Sequence, residues 1–167
     1  KKEQHNFLTS VSNSGGILNF DDLFSDIERP GLSLYGSHFH NKSKNFRLKN
    51  VTTLVSKIIA IKNIKKGETV GYDGLWQAKK NTSIGIIPIG YSDGIPLNYG
   101  NKGYVLINKA KAKVIGRVAM DLMAIELPNK KVKIGEDIIL WGKDLKVDEL
   151  ASLTDNIPYS FMTSLSK

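Results

Sequence analysis

The run Gly103-Tyr104-Val105-Leu106-Ile107-Asn108-Lys109-Ala110-Lys111-Ala112-Lys113-Val114-Ile115-Gly116-Arg117-Val118-Ala119-Met120-Asp121 decides the fold. Gly103–Asn108, Ala112–Gly116 and Val118–Leu127 are apolar, rich in β-branched residues and parted by short turns, which is the pattern of successive strands. Working outward, Val51–Ile64 reads as one long or bent strand, Lys66-Gly67 as a turn, and Glu68–Tyr72 as extended chain. Ser83–Tyr91 is apolar but contains Pro88, which cannot donate to a ladder, so an edge strand or a bulge is predicted. Ile138–Trp141 closes the run, and the spacing in Val147–Leu153 predicts a short helix. Strands this short and even predict an all-β barrel or sandwich.

Upstream the character differs. Phe7–Ser12 predicts a short strand running into a polar, glycine-rich turn, Asn13-Ser14-Gly15-Gly16. Apolar residues at Phe20, Leu23, Phe24 and Ile27 have helical spacing, Arg29-Pro30-Gly31 stops that helix, and Leu32–Tyr35 predicts another strand. Residues 36 to 50 are polar and basic, and a domain boundary is placed there, near Asn45. The expected organisation is therefore an α/β segment over residues 1–44 and a β domain over residues 45–167.

The chain has 167 residues, 41% of them hydrophobic and 24% charged, an ordinary globular composition with enough length to bury a core. It has no cysteine, which removes disulfides, thiolate zinc sites and thiol nucleophiles. No apolar run approaches the ~18 residues of a membrane span, and the first residues lack an apolar signal core. The sequence starts without Met, which is read as a fragment boundary. The net charge is +8, but only Arg29, Arg47 and Arg117 are arginines, the residue that reads guanine edges and stacks on bases. The lysines cluster beside turns and read as a solvated surface, so no nucleic-acid partner is expected. His38 and His40 lack a third ligand, so no metal site is expected; the two glycosylation-like triplets, at Asn41 and Asn81, are chance matches.

Four segments carry chemistry in combination: Asn13-Ser14-Gly15-Gly16; Arg29-Pro30-Gly31-Leu32-Ser33-Leu34-Tyr35-Gly36; Val70-Gly71-Tyr72-Asp73-Gly74-Leu75-Trp76 with Ile84-Gly85-Ile86-Ile87-Pro88-Ile89-Gly90-Tyr91-Ser92-Asp93-Gly94; and Gly116-Arg117-Val118-Ala119-Met120-Asp121. Taken one by one they read as turns, a helix stop and edge-strand packing. In this order, and with Ile157-Pro158-Tyr159-Ser160-Phe161-Met162-Thr163-Ser164-Leu165-Ser166 at the end, they resemble the C-terminal part of the alanine racemase family. That resemblance covers nearly the whole chain. It implies a pyridoxal-phosphate (PLP) enzyme whose fold here is mainly β: an alanine-racemase-type C-terminal β-barrel-like domain preceded by the last two strands of a (β/α)8 PLP-binding barrel.

The resemblance also implies residue roles. Ser14, Gly31, Leu32 and Tyr159 match positions that hold the cofactor phosphate, through a hydroxyl, two backbone amides and a phenol. Arg29 matches the arginine facing the pyridine nitrogen, where a permanent cation disfavours the ring proton and limits side reactions. Tyr72 matches the catalytic tyrosine, one of two bases on opposite faces of the α-carbon. A free phenol is a weak base at neutral pH, so a nearby positive charge is expected. Tyr91 and Met120 match substrate-side positions, and Asp121 is expected to support the access route. The family shares its sites across a homodimer, Tyr72 facing the partner subunit's barrel.

The expected activity is interconversion of L- and D-alanine in the bacterial cytoplasm, supplying D-alanine for peptidoglycan, with no membrane partner. The alternatives are a racemase for serine, lysine or a broad range of amino acids, and a catalytically inactive β-barrel binding module. The family lysine that bonds PLP lies in a V-K-A-N-A-Y-G-H-G segment, and none of the 21 lysines here has that context, so the chain alone is expected to be inactive. The family's closing Arg-Val-Pro-Arg stretch is also not in this sequence. Two local departures stand out: Asp73 where glycine is common, and Ser10 where many members carry histidine.

Overall fold

Only Ile58 and Ile59 separate β1 (Leu54–Lys57) from β2 (Ala60–Ile64), yet the two strands lie at opposite ends of one seven-stranded sheet. The computed structural model describes residues 7–23, 25–38, 48–129 and 131–165. It divides into two compact units, Lys1–Val51 and Thr52–Lys167. The predicted boundary near Asn45 lies outside the described residues.

The sheet belongs to the second unit. Its order is β1, β9 (Asp137–Trp141), β6 (Tyr104–Ile107), β7 (Ala110–Ile115), β8 (Met123–Glu126), β5 (Thr82–Ile87), β2, and every pairing is antiparallel. A two-residue link between edge strands forces the sheet to curl until its edges approach each other. The link is bonded toward both edges: Ile58 N–H donates to Glu136 O at 3.1 Å and Ile59 N–H to Ile86 O at 2.9 Å. The result is the curled, barrel-like, mainly β domain expected from the strand pattern. A small hairpin of β3 (Thr69–Val70) and β4 (Trp76–Gln77) stands beside the sheet and carries Tyr72 at its tip.

Period-two alternation places Ala112 and Val114 inside while Lys111 and Lys113 face water. Val105, Ile107, Ile125, Ile138 and Leu140 fill the interior, each burial stabilising by roughly 1.5–3 kcal/mol. Two helices, α2 (Val147–Leu153) and α3 (Pro158–Thr163), add Val147, Leu150 and Phe161 to the same core. (A third, α1 (Ser14–Asn19), belongs to the first unit and precedes both in the chain.) Outside, the Tyr104 hydroxyl bonds Glu149, and Lys111 reaches both at 2.8 and 3.2 Å, tying the β6–β7 hairpin to α2.

Tyr99 is wholly buried and its hydroxyl donates to Tyr104 O at 2.7 Å. Burial, with a smaller contribution from Tyr104, pushes its phenol far above the ordinary value. The unfolded chain ionises this phenol near pH ~10 and the folded chain does not. Its contribution to stability is therefore complete below about pH 10 and lost as pH rises beyond it. Urea midpoints from pH 8 to 11 should fall more steeply for the wild type than for Tyr99→Phe; parallel curves would refute this.

Several expectations are corrected. Asn13-Ser14-Gly15-Gly16 is not a turn but opens helix α1 (Ser14–Asn19), because the Asn13 side chain accepts from Gly16 N at 3.0 Å and caps it. Phe7–Ser12 forms no regular strand; it accepts hydrogen bonds at Thr9 O and Ser12 O, and the isolated parallel bridge to Arg29 comes at the following residue, Asn13. Phe20–Ile27 forms no helix among its described residues, since Asp26 is drawn to Thr9, whose N–H and hydroxyl both donate to it at 2.7 Å. Leu32–Tyr35 is a 3-10 turn rather than a strand, wound by Leu34 N–H to Gly31 O at 3.1 Å. The strand expected over Ser83–Tyr91 is β5, which ends before Pro88 and lies between β2 and β8, so it is internal. The strand expected over Val118–Leu127 is confined to β8.

Candidate active site

In the first unit two extended segments run side by side in parallel. Ile27 N–H donates to Thr9 O and Arg29 N–H to Ser12 O, both at 3.0 Å. Each segment ends in a helical turn, α1 at Ser14 and the 3-10 turn at Leu32. This places Ser14, Gly31 and Leu32 together at the C-terminal ends of neighbouring parallel segments, the usual location of sites in α/β proteins. The Ser14 hydroxyl is buried and accepts from Gly31 N–H at 2.8 Å and Ser33 N–H at 3.2 Å, with the Ser33 hydroxyl also at 3.2 Å. Ser12 Oγ is buried beside it without a hydrogen-bond partner among the described residues. Hydroxyls and backbone N–H groups gathered in this way suit an anion with several oxygens, such as a phosphate.

Arg29 leaves the same segment on its exposed side. Its guanidinium donates to Ser10 O at 2.7 Å and to the Ser10 hydroxyl, with Val11 O at 3.5 Å. Ser10 thus anchors the arginine. Asp26 below it accepts from Thr9, first from the backbone N–H and then from the hydroxyl, which holds its carboxyl below the usual carboxylate range.

In the second unit Tyr72 stands at the tip of the β3–β4 hairpin, 67% exposed and without a hydrogen bond to its hydroxyl among the described residues. It lines a largely apolar hollow of about 330 Å³ with Ile86, Arg117, Ala119, Leu122 and Met123. Among the described residues Arg117 is the one cation in that lining, and its guanidinium lies 3.2 Å from Asp73. The Tyr91 turn joins the same loop: Tyr91 N–H donates to Ala119 O at 3.0 Å, and Ser92 bonds Met120 O through its N–H at 2.9 Å and its hydroxyl at 2.7 Å. Gly90 permits this approach, because a Cβ there would meet Ala119 O at 2.3 Å. Tyr72, Tyr91 and Met120 are thus connected through the Arg117–Met120 loop. Tyr159 is placed separately, partly exposed on α3.

Sequence reasoning missed Ser33, Ser12 and the Asp73–Arg117 pair. Ser33 follows the Gly31-Leu32 step directly, which was a usable signal; Ser12 had none. Asp73 was visible only as a departure from glycine.

Among the described residues no helix is long and apolar enough to cross a membrane. A family model described as "Alanine racemase, C-terminal domain" matches residues 51–167. An alanine racemase of Borreliella burgdorferi is 41% identical over 100% of this chain and 46% of its own length. The structure of alanine racemase from Acinetobacter baumannii superposes with a TM-score of 0.87 at 38% identity, covering 96% of this chain and 46% of that one. Alanine racemase from Bartonella henselae with covalently bound pyridoxal phosphate gives 0.87 at 31% identity over 98% of this chain and 46% of that one. The chain spans less than half the length of the relatives it matches. A family model over most of the sequence, with whole-chain likeness to several members, means that this chain belongs to the alanine racemase family.

Proposed function

We propose that this chain is part of a PLP-dependent racemase that interconverts L- and D-alanine and supplies D-alanine for bacterial peptidoglycan, in the cytoplasm. The observation that carries the reading is the pairing, in one chain, of N–H and hydroxyl donors gathered at the Ser14 hydroxyl with an exposed Tyr72 over an apolar hollow, its own hydroxyl unbonded among the described residues. In this reading residues 1–44 are the end of a PLP-binding barrel and residues 45–167 the domain that closes the partner subunit's barrel in a homodimer.

The residues fit the cofactor. Ser14 and the backbone amides of Gly31 and Leu32 would hold its phosphate, Gly31 N–H turning from the Ser14 hydroxyl to which it now donates, and Tyr159 would offer a phenol. Arg29, braced on Ser10, would be the residue toward the pyridine nitrogen, where its permanent positive charge would disfavour a ring proton. When bound, PLP supplies an electron sink that acidifies the amino acid's α-proton. Tyr72 Oη takes or returns that proton on one face, while a lysine outside this sequence serves the other. Ile86, Leu122 and Met123 give the hollow beside the Tyr72 ring its apolar wall, and Tyr91 and Met120, joined to the same loop, would bound the space for a small side chain.

The test is D-alanine formation from L-alanine by the longer racemase chain with PLP, beside this 167-residue chain under the same conditions. Activity in the longer chain and none in this one is expected. A longer chain that binds PLP and racemises serine or lysine but not alanine would move the substrate. Full activity in this chain alone would refute the placement of the lysine.

A further inference from the structure

An exposed side chain without a hydrogen-bond partner is aimed by its backbone. Tyr72 is in that position, and the backbone on both sides of it is unusual. Before it, Gly71 is left-handed with φ 80°, and a Cβ there would meet Arg117 N at 3.0 Å. Across the contact, Gly116 is left-handed too, with φ 71°, and a Cβ there would lie 2.7 Å from Val70 O. The turn that carries Tyr72 and the turn that carries Arg117 are therefore packed backbone on backbone, with no space for side chains between them.

After Tyr72 the chain is left-handed again. Asp73 has φ 60° and ψ 9°, a conformation that glycine adopts freely and other L-residues adopt at a cost. Asparagine and aspartate tolerate it best, yet glycine alone would remove the strain. What aspartate adds is a carboxylate, and that carboxylate lies 3.2 Å from the Arg117 guanidinium. The two side chains are 62% and 50% exposed, so the pair is a surface ion pair that joins the two turns.

We propose that Asp73 and Arg117 form a charged clip that positions Tyr72 for proton transfer. The clip fastens the strained turn after Tyr72 to the Gly116–Arg117 turn and holds the one cation of the hollow beside the phenol. The inference rests on the reading of Tyr72 as a proton-transfer group. Asp73 and Arg117 are positioning residues in it; neither exchanges a proton with substrate.

The test uses the longer racemase chain with PLP. Asp73→Asn keeps the shape and the tolerance for a left-handed backbone and removes the charge. It should lower kcat about two- to five-fold, the range expected of an exposed ion pair, with KM for alanine held within about twofold. Salt should lower the wild-type kcat toward that of Asp73→Asn and leave the variant unchanged, because screening undoes only a pair that is present. With α-deuterated alanine, the isotope effect should rise for the enantiomer whose proton Tyr72 removes and not for the other. A purely structural lesion would not divide the two directions in this way. The Asp73→Asn/Arg117→Gln double variant should be no worse than Arg117→Gln alone, since the two residues act as one unit. Wild-type kinetics for Asp73→Asn at low and high salt, or losses that multiply in the double variant, would overturn the clip. Tyr72→Phe is assayed alongside. Full activity there overturns the reading of Tyr72 and the clip together, whereas an inactive Tyr72→Phe beside an unaffected Asp73→Asn overturns the clip alone.

Discussion

Tyr72→Phe in the longer racemase chain is expected to lower alanine racemisation by about 10²–10⁴-fold, the usual worth of a positioned acid or base. The substitution removes one oxygen and keeps the ring. Tyr72 is 67% exposed and its hydroxyl bonds nothing among the described residues, so folding does not depend on that oxygen. Stability should stay within about 0.5 kcal/mol of wild type, as for other surface changes away from special features. The apolar hollow formed with Ile86, Leu122 and Met123 should survive as well, because the ring still covers it. Loss of activity without loss of stability or of PLP absorbance would isolate proton transfer at Oη. A variant that racemises alanine at the wild-type rate would show that Tyr72 is not one of the two bases. The cradle around Ser14 would then support only a PLP-binding role.

The elements that could be read from sequence are those whose signals are local. Val147–Leu153 is a helix with the predicted bounds, because Val147, Leu150 and Ala151 share a buried face and Asp148 and Glu149 sit at its positive end. The β6–β7 hairpin was legible from its apolar runs. Its turn, Asn108-Lys109, takes φ 50° and 66°, the left-handed pair that matches strand twist. The curl of the sheet was not legible. Nothing in Val51–Ile64 says that its two halves go to opposite edges; only long-range pairing with Ile86 and Asp137 reveals it. In the first unit, side-chain bonds overrode periodicity: Asp26 chose Thr9 over a helix, and the Ser14 hydroxyl drew Gly31 and Ser33 into a turn. Of the site, the types of the residues were visible and their connections were not. Ser10 looked like a loss of histidine and is the acceptor that braces Arg29; Asp73 looked like a loss of glycine and pairs with Arg117.

Phe161→Ala is expected to destabilise the second unit by about 3–5 kcal/mol, the cost of removing a fully buried aromatic from a well-packed core. The Phe161 ring meets Trp141 edge-on at 5.7 Å and 86°, and Tyr99 at 6.3 Å and 68°, so truncation opens a void between two other large buried rings. Its consequence for the site follows from α3. That helix has six residues and no side-chain cap at its start, too short to persist without packing. Phe161 and Pro158 are the residues it buries, and Tyr159 stands between them on the exposed side. Removing Phe161 should therefore release α3 before the sheet melts, and the fluorescence of Trp141 should change in the same step. On the proposed role of Tyr159 at the phosphate, PLP affinity of the longer chain should fall together with stability, because α3 presents that residue. Tyr159→Phe provides the contrast: with its phenol partly exposed, it should weaken PLP binding while leaving the denaturant midpoint in place. A Phe161→Ala chain that loses less than about 1 kcal/mol would mean that α3 is held by something other than this aromatic contact. A Phe161→Ala enzyme that binds PLP normally despite a lowered midpoint would detach Tyr159 from the phosphate and leave the cradle to Ser14, Gly31 and Leu32.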